Sequence, residues 1–392
     1  MARARRRSVV GGVAFALLVL AGIWLIPAAL LAPVTPGGVV TLVLIALAIT
    51  PLPLLLVVRS RLRGWYPGRW FRLLVLRPFW YAQLGVLLLP IGAVVGLLFG
   101  VLIGRPVDGG RLGMAVILVG FAVAALFGYL DSRRLRTVRI VASWPDLPRA
   151  FDGFTIAQLT DLHVGPQTSR GFLREVATRT RALDADLIAV TGDLIDDFDE
   201  DVAIYAKAFG DLAAPDGVLV IPGNHDVYAD WPKVRARLQA LPLTILVNDV
   251  VVIERAGARL AIIGTGDPAG NPWGPDTAAP RVDDAVAAVP DGAFTIALAH
   301  NPALWPALAR HDVRLTLSGH THWGQFAIPS LGWSLAGVFL EHAMGAYRSG
   351  ESLLYIHPGT GYWGIPFRLG ARPEVAVVEL RRGPTGITRT VA

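Results

Sequence analysis

The sequence predicts an α-helical membrane domain of four spans followed by an α/β domain with a mixed sheet or a pair of sheets flanked by helices. Three observations predict it: long apolar runs confined to the first part of the chain, a reversal of charge between the two parts, and short β-like runs alternating with helical stretches from Val138 onward. The expected domains are therefore 1–137 and 138–392.

The 392-residue chain carries a formal charge of +6, which taken whole would suit a nucleic-acid binder. Up to Arg139, however, 16 arginines face only Asp108 and Asp131, whereas the remainder has 20 basic and 28 acidic residues. The basic character belongs to the apolar part, and no nucleic-acid partner is expected. Absence of cysteine rules out a disulfide framework and a thiolate metal site, so any metal must be held by His, Asp, Asn or Glu.

Four apolar runs, Val9 to Leu31, Val39 to Val58, Ala82 to Ile103 and Leu112 to Leu130, contain no charged residue, and each is long enough to cross a hydrocarbon core. The first follows Arg3, Arg5, Arg6 and Arg7 as a signal peptide would, but it is long for one and lacks a small-residue cleavage site, so it reads as an uncleaved span. Arginines also crowd the segment Arg59 to Arg77 and positions 133, 134, 136 and 139, while Ala32 to Gly38 has none and the loop between the third and fourth runs has only Arg105 and Arg111. This alternation predicts a multi-pass protein with both termini and the second domain on the cytoplasmic side of the cytoplasmic (inner) membrane. Trp65, Tyr66, Trp70, Phe71, Trp80 and Tyr81 are placed as an interfacial belt. Gly92, Gly96, Gly100 and Gly104 recur every fourth residue, giving one helix a smooth face for packing inside the bundle, for a dimer seam or for a lipid groove. Without ionisable groups inside its spans, the domain reads as an anchor rather than a transporter.

In the second part, strands are expected at Phe154 to Leu159, Leu187 to Val190, Val218 to Ile221, Arg259 to Ile263, Phe294 to Ala299, Arg314 to Leu317, Leu353 to Ile356 and Val375 to Leu380. Helices are expected at Ser169 to Leu183, Glu200 to Ala213, Trp231 to Ala240, Arg281 to Val289 and Ala303 to Ala309. Polar clusters follow the strands, where ligands of α/β proteins bind: Asp161-Leu162-His163, Gly192-Asp193, Gly223-Asn224-His225-Asp226 as a tight loop, His300-Asn301 and Gly319-His320-Thr321-His322. Each alone could be a solvated turn or a core histidine. Together they hold five of the eight histidines, and oxygen and nitrogen donors of this kind suit a hard or borderline metal and a phosphate. His311, His342 and His357 read as structural or exposed, and the acidic run Asp196, Asp197, Asp199, Glu200, Asp201 as a solvated helix start.

The series Asp-x-His, Gly-Asp, Gly-Asn-His-Asp, His and Gly-His-Thr-His resembles the calcineurin-like metallophosphoesterase superfamily over about residues 150 to 385. Leu183 to Ile188 before Thr191-Gly192-Asp193, Leu298 to Pro302 and Leu317 to His322 are similar to its membrane-associated bacterial branch, some members of which hydrolyse UDP-2,3-diacylglucosamine. The resemblance implies an α/β metallophosphoesterase domain of two mixed sheets flanked by helices, with two divalent ions (Mn, Fe or Zn). Asp161, His163 and His322 would hold the first ion and Asn224, His300 and His320 the second, with Asp193 bridging. His225 would stabilise phosphoryl oxygens or protonate the leaving group, and Asp226 would orient the His225 ring. Trp323 stands where many members have glycine, and is expected to narrow the mouth of the site.

The apolar segment Phe326 to Leu340, with Tyr362, Trp363, Ile365 and Phe367, is either a core edge or a lip receiving acyl chains. The expected function is a membrane-anchored phosphohydrolase cleaving a phosphodiester or pyrophosphate bond in a phosphorylated lipid or lipid-linked substrate at the bilayer. Rival readings are a tethered enzyme acting on soluble substrates and a membrane scaffold or sensor on an inactive fold.

Overall fold

The computed structural model describes residues 27, 29–35, 37–38, 40, 68–165, 167–271 and 278–391. The first two expected spans, Val9 to Leu31 and Val39 to Val58, fall outside the described residues except for a few positions between 27 and 40, as does most of the arginine-rich segment between the second and third. Two compact units follow one another along the chain, Met1–Leu126 and Phe127–Ala392.

In the first unit, two helices are long and apolar enough to cross a membrane: α1 (Arg69–Leu102) and α2 (Pro106–Asp131). They cover nearly all of the third expected run and all of the fourth, but α1 starts at Arg69, inside the segment Arg59 to Arg77 expected to lie between spans. Leu98, Phe99, Leu102, Leu112 and Val119 are more than half exposed, as the outer face of a helix of this length and composition would be in a bilayer. The glycine pattern has its reason in the turn between them. A Cβ built on Gly96 would lie 2.1 Å from the Gly109 carbonyl oxygen, and one on Gly113 would lie 1.9 Å from that of Gly92. The face Gly92, Gly96, Gly100 therefore meets Gly109 and Gly113 of α2 backbone to backbone, the packing reading of those glycines.

The second unit opens with β1 (Arg136–Trp144) and β2 (Thr155–Leu159), then α3 (Arg170–Arg181), β3 (Leu187–Thr191), α4 (Val202–Phe209), β4 (Val218–Ile221), α5 (Asn224–Tyr228), α6 (Trp231–Leu238) and β5 (Thr244–Ile245). It continues through β6 (Asp249–Arg255), β7 (Ala258–Gly264), α7 (Val282–Ala287), β8 (Phe294–Leu298), α8 (Trp305–Arg310) and β9 (Leu315–Ser318). The short pair β10 (Ala327–Ile328) and β11 (Trp333–Ser334) and the strands β12 (Gly345–Ser349), β13 (Ser352–Ile356), β14 (Glu374–Arg382) and β15 (Gly386–Val391) complete it.

Two mixed sheets result, ordered β15-β1-β14-β2-β3-β4-β5 and β12-β13-β9-β8-β7-β6. Strands β2 to β5 run parallel, as do β7, β8, β9 and β13. Period-two alternation decides what each face meets: Ile156, Leu187, Ala189 and Leu219 join Leu260, Ile262, Ile296 and Leu317 in a core between the sheets. Ala157, Ile188, Val190 and Val220 point the other way, onto Leu173 and Val176 of α3, Tyr205 and Phe209 of α4 and Val234 and Leu238 of α6. Helices α7 and α8 cover the second sheet through Ala285 and Leu308. All eight expected strands and five expected helices are present. Helix α3 illustrates why: Ser169 accepts from Phe172 N at 3.2 Å as N-cap, worth about 1 kcal/mol, and Leu173, Val176, Ala177 and Thr180 form its buried stripe.

Arg133, Arg134, Arg136 and Arg139 are expected together as a cytoplasmic flank. Two of them lie on β1, where Arg139 pairs with Glu379 of the neighbouring β14.

Candidate metal centre

The site lies where the parallel strands of both sheets end. Asp161 and His163 follow β2, Asp193 follows β3, Asn224 and His225 begin α5 after β4, His300 follows β8, and His320 and His322 follow β9. The stretch Gly223 to Asp226, expected as a tight loop, is the N-terminus of a short helix.

Local backbone geometry is unusual here. Twelve non-glycine residues among those described have positive φ, and seven of them, Asp161, His163, Asp193, His320, His322, Trp323 and Gln325, belong to these loops. Each such residue costs about 1–3 kcal/mol, so the fold stores its strain at the site. Glycines admit the close approach of the carboxylates: a Cβ on Gly223 would lie 2.3 Å from Asp193 Oδ1, and one on Gly319 would lie 2.2 Å from Asp161 Oδ2.

The seven expected metal ligands come together in two groups. In the first, His163 Nε2 and His322 Nε2 are 2.9 Å apart, and His322 Nε2 is 3.2 Å from Asp161 Oδ1. In the second, Asn224 Oδ1 is 2.8 Å from His320 Nδ1 and 3.3 Å from His300 Nε2. Asp193 Oδ2 stands between the groups, 3.3 Å from His300 Nε2 and 3.6 Å from His163 Nε2. Ligand atoms bonded at about 2.1 Å to one cation sit about 3.0 Å apart in an octahedral shell and about 3.4 Å apart in a tetrahedral one. The donor spacing fits both groups.

Ring orientation fits for two of the histidines. His300 Nδ1 lies 2.9 Å from the Thr191 carbonyl, so it donates there and leaves its Nε2 lone pair toward Asp193 and Asn224. His163 Nδ1 faces Asp196 Oδ1 at 3.3 Å, a carboxylate behind a ligand imidazole that favours the same tautomer. His322 differs: a fully buried guanidinium, Arg368, lies 2.5 Å from its Nδ1.

The charges are mutually dependent. Burial opposes ionisation of Asp193, yet His300 and His163 hold its carboxyl below the usual range. Burial likewise pushes His300 down, but Asp193 beside it, with Asp161 and Asp267 behind, pulls it well above its ordinary value. Asp161 is raised, chiefly by burial. Burial and then His300 push His320 down to about 4, and burial with Arg368 lowers His322 strongly. A cluster that retains protons among carboxylates is one where cations can replace them.

Two expected roles are corrected. Asp226 does not orient the His225 ring: its buried carboxylate accepts from the backbone N–H groups of Leu194 (3.0 Å), Ile195 (3.3 Å) and Gly223 (2.9 Å), tying the β3 and β4 loops together. Burial, then Asp193, pushes it up to about 7. His225 is instead held through Nδ1, 2.7 Å from the Asp196 carbonyl oxygen. Trp323 does not narrow the mouth either. It is buried, donates from Nε1 to the Ile356 carbonyl at 3.0 Å and packs with Trp305, Leu354 and Ile356; its φ of 52° shows why glycine suits that position.

Sequence reasoning missed three residues here. Asp196, read as part of a solvated run, backs His163 and His225; its place three residues after Asp193 was the available signal. Asp267, buried near His300, and Arg368, 46 residues from its partner His322, carried none.

The two-sheet sandwich and the donors gathered at its strand ends are those of a metallophosphoesterase. The chain belongs to the calcineurin-like phosphoesterase family, whose model matches residues 154–324. It is similar to the Bacillus subtilis metallophosphoesterase YkuE, 30% identical over 241 residues, covering 60% of this chain and 82% of that protein. It is also similar to the transmembrane protein with metallophosphoesterase domain of Bos taurus (31% over 248 residues, 61% of this chain, 55% of that protein) and to the Escherichia coli phosphodiesterase YaeI (28% over 236 residues, 58% and 82%). The chain spans only 55–59% of the length of the bovine and Helicobacter pylori relatives it matches.

Proposed function

We propose that the protein is a membrane-anchored, metal-dependent phosphohydrolase with two cations at the sites above. The observation that carries this reading is Asp193 Oδ2 standing between two sets of nitrogen and oxygen donors. Asp161, His163 and His322 would hold one ion, Asn224, His300 and His320 the other, and Asp193 both. When bound, such a pair polarises phosphoryl oxygens and supplies a nucleophile at neutral pH. His225, fixed by the Asp196 carbonyl, would place Nε2 against a phosphoryl or leaving-group oxygen.

In the test, full-length protein in detergent is stripped with EDTA and assayed on bis-p-nitrophenyl phosphate before and after addition of Mn, Zn, Fe or Mg. Stripping is expected to abolish turnover, and readdition of a transition metal to restore it with two ions per chain. A fully stripped protein that still turns over, or a reloaded one that binds no ion, rejects the reading.

The substrate we propose is a phosphodiester or pyrophosphate in a lipid-linked molecule. Leu331, Trp333, Leu335, Val338 and Phe339 are exposed, Phe339 by 80%. Of the other apolar residues, Tyr362 and Ile365 are core, but Trp363 is exposed, and its ring centroid lies 6.1 Å from that of His225. Exposed apolar side chains on the segment that follows the donor loop of β9, with Trp363 beside His225, suit acyl chains. The arginine alternation supports a four-span anchor holding the domain at the cytoplasmic face. Replacing Trp333 and Phe339 with serine is expected to lower kcat/KM about tenfold or more on a lipid-linked diester and less than about twofold on bis-p-nitrophenyl phosphate, at about 25 cal/mol per Å² of lost apolar contact. Equal losses on both would favour a soluble substrate.

A further inference from the structure

Arg368 is the one arginine among the described residues whose side chain is fully buried, at 0% exposure. No carboxylate oxygen of the described residues lies within ion-pair distance of it, so its partners are neutral. Nη1 donates to the carbonyls of His322 (3.0 Å) and Pro358 (2.6 Å), and Nη2 to that of Gly361 (2.5 Å) and to His322 Nδ1 (2.5 Å). One fork thus grips both the backbone and the ring of His322 and ties them to the turn Pro358 to Gly361. That turn is itself pinned to the first donor loop, since Gly361 N donates to the Asp161 carbonyl at 2.9 Å.

The arginine's own backbone is fixed from the other side. Its N–H donates to the Gly128 carbonyl in α2 at 2.9 Å, and Phe367 fills the space over Gly128, where a Cβ would lie 2.4 Å from the ring. An unbroken path therefore runs from the end of an apolar helix, through one residue, to a donor of the candidate metal centre.

We infer that Arg368 is a positioning residue for His322, through which the last turns of α2 hold the Asp161–His163–His322 group in ligating geometry. The inference rests on the metal-centre reading above. A guanidinium only donates, so His322 Nδ1 accepts in this arrangement. Binding through Nε2 requires the ring contact to lengthen while the three carbonyl contacts persist. The hold is therefore chiefly on the backbone, which a shorter or neutral side chain cannot reproduce. Residues standing behind a metal ligand typically set affinity by about 10–100-fold.

Mn(II) titration of EDTA-stripped, full-length protein in detergent, read by calorimetry and by Mn EPR, tests this. Arg368→Met is expected to weaken one of the two binding steps by about 10–100-fold, leave the other within about threefold, and replace the coupled two-ion EPR signal with that of a single ion. The double variant with His322→Ala should lose no more than His322→Ala alone. Gly128→Val, which keeps the guanidinium but drives a side chain into Phe367, should weaken the same step, whereas Gly120→Val, with open space around it, should not. Arg368→Met binding both ions as wild type does, or weakening both steps together, overturns the inference. Should Arg368→Met fail to fold, Gly128→Val decides it: two binding steps both unchanged from wild type sink the proposal. Wild-type protein binding no manganese rejects the metal-centre reading itself.

Discussion

Replacing Asp193 with asparagine is expected to lower turnover of bis-p-nitrophenyl phosphate at least about 1,000-fold, with the bound metal falling below one ion per chain. The magnitude follows from where the carboxylate stands. Its Oδ2 faces His300 on one side and His163 on the other, so losing its charge removes the only anion common to both donor groups. What remains would hold two dications face to face, with Asp161 as the sole carboxylate ligand. Asparagine keeps the side-chain volume and the oxygen that accepts from His225 N at 2.8 Å, but it removes the charge that pulls buried His300 upward, so the thermal midpoint of the stripped protein should fall as well. His225→Ala is the informative contrast. It should lose about 100-fold in kcat while retaining both ions, because the ring's anchor is the Asp196 carbonyl rather than a donor group. Metal analysis beside kinetics separates the two. Asp193→Asn with two bound ions and more than a tenth of wild-type turnover would falsify the bridging role.

How far the sequence reveals this arrangement depends on the kind of signal each residue carries. Strands such as β3 and β4 are continuous apolar runs because both faces are covered, and they are legible without any partner. Edge strands such as β12 and β15 are not: neither has a buried residue, and there is no apolar run to find. Strand β1 is a different failure. Val138, Ile140, Ala142 and Trp144 alternate into the core as a strand should, but Arg136 before them and Arg139 among them give the segment the look of a membrane flank. A charge can serve an ion pair with Glu379 as well as an interface, and position alone does not say which.

The donors were legible because their types and strand-end spacing repeat across five loops. The residues behind them were not. Asp226 sits beside His225 in sequence, yet a helical start turns its carboxylate away toward Leu194 and Gly223. Asp196 looked like one acid in a solvated run, and only the pairing of Val164 with Ile195 brings it against His163. Adjacency in the chain predicts a partner poorly where the backbone turns left-handed, and seven such turns shape this site.

Gly113→Leu is expected to break the α1–α2 hairpin while leaving the second unit folded. In a bilayer there is no hydrophobic gain from bringing apolar helices together, so close packing of small residues must supply the association. At Gly113 the first atom of any side chain would lie 1.9 Å from the Gly92 carbonyl oxygen, and at Gly96 2.1 Å from that of Gly109. Both obstacles are backbone, which cannot rotate away as a side chain can, so the helices must separate along their length. Overpacking of this kind costs about 1–3 kcal/mol per site. Gly120→Leu on the same helix is the control, since no atom lies within 4 Å of its Cβ position. Hydrogen exchange on the full chain in detergent should show faster exchange across 92–113 for Gly113→Leu and Gly96→Leu but not for Gly120→Leu. Manganese binding by the second unit should be unchanged in all three. Equal protection in Gly113→Leu and Gly120→Leu would mean that the glycine faces do not meet.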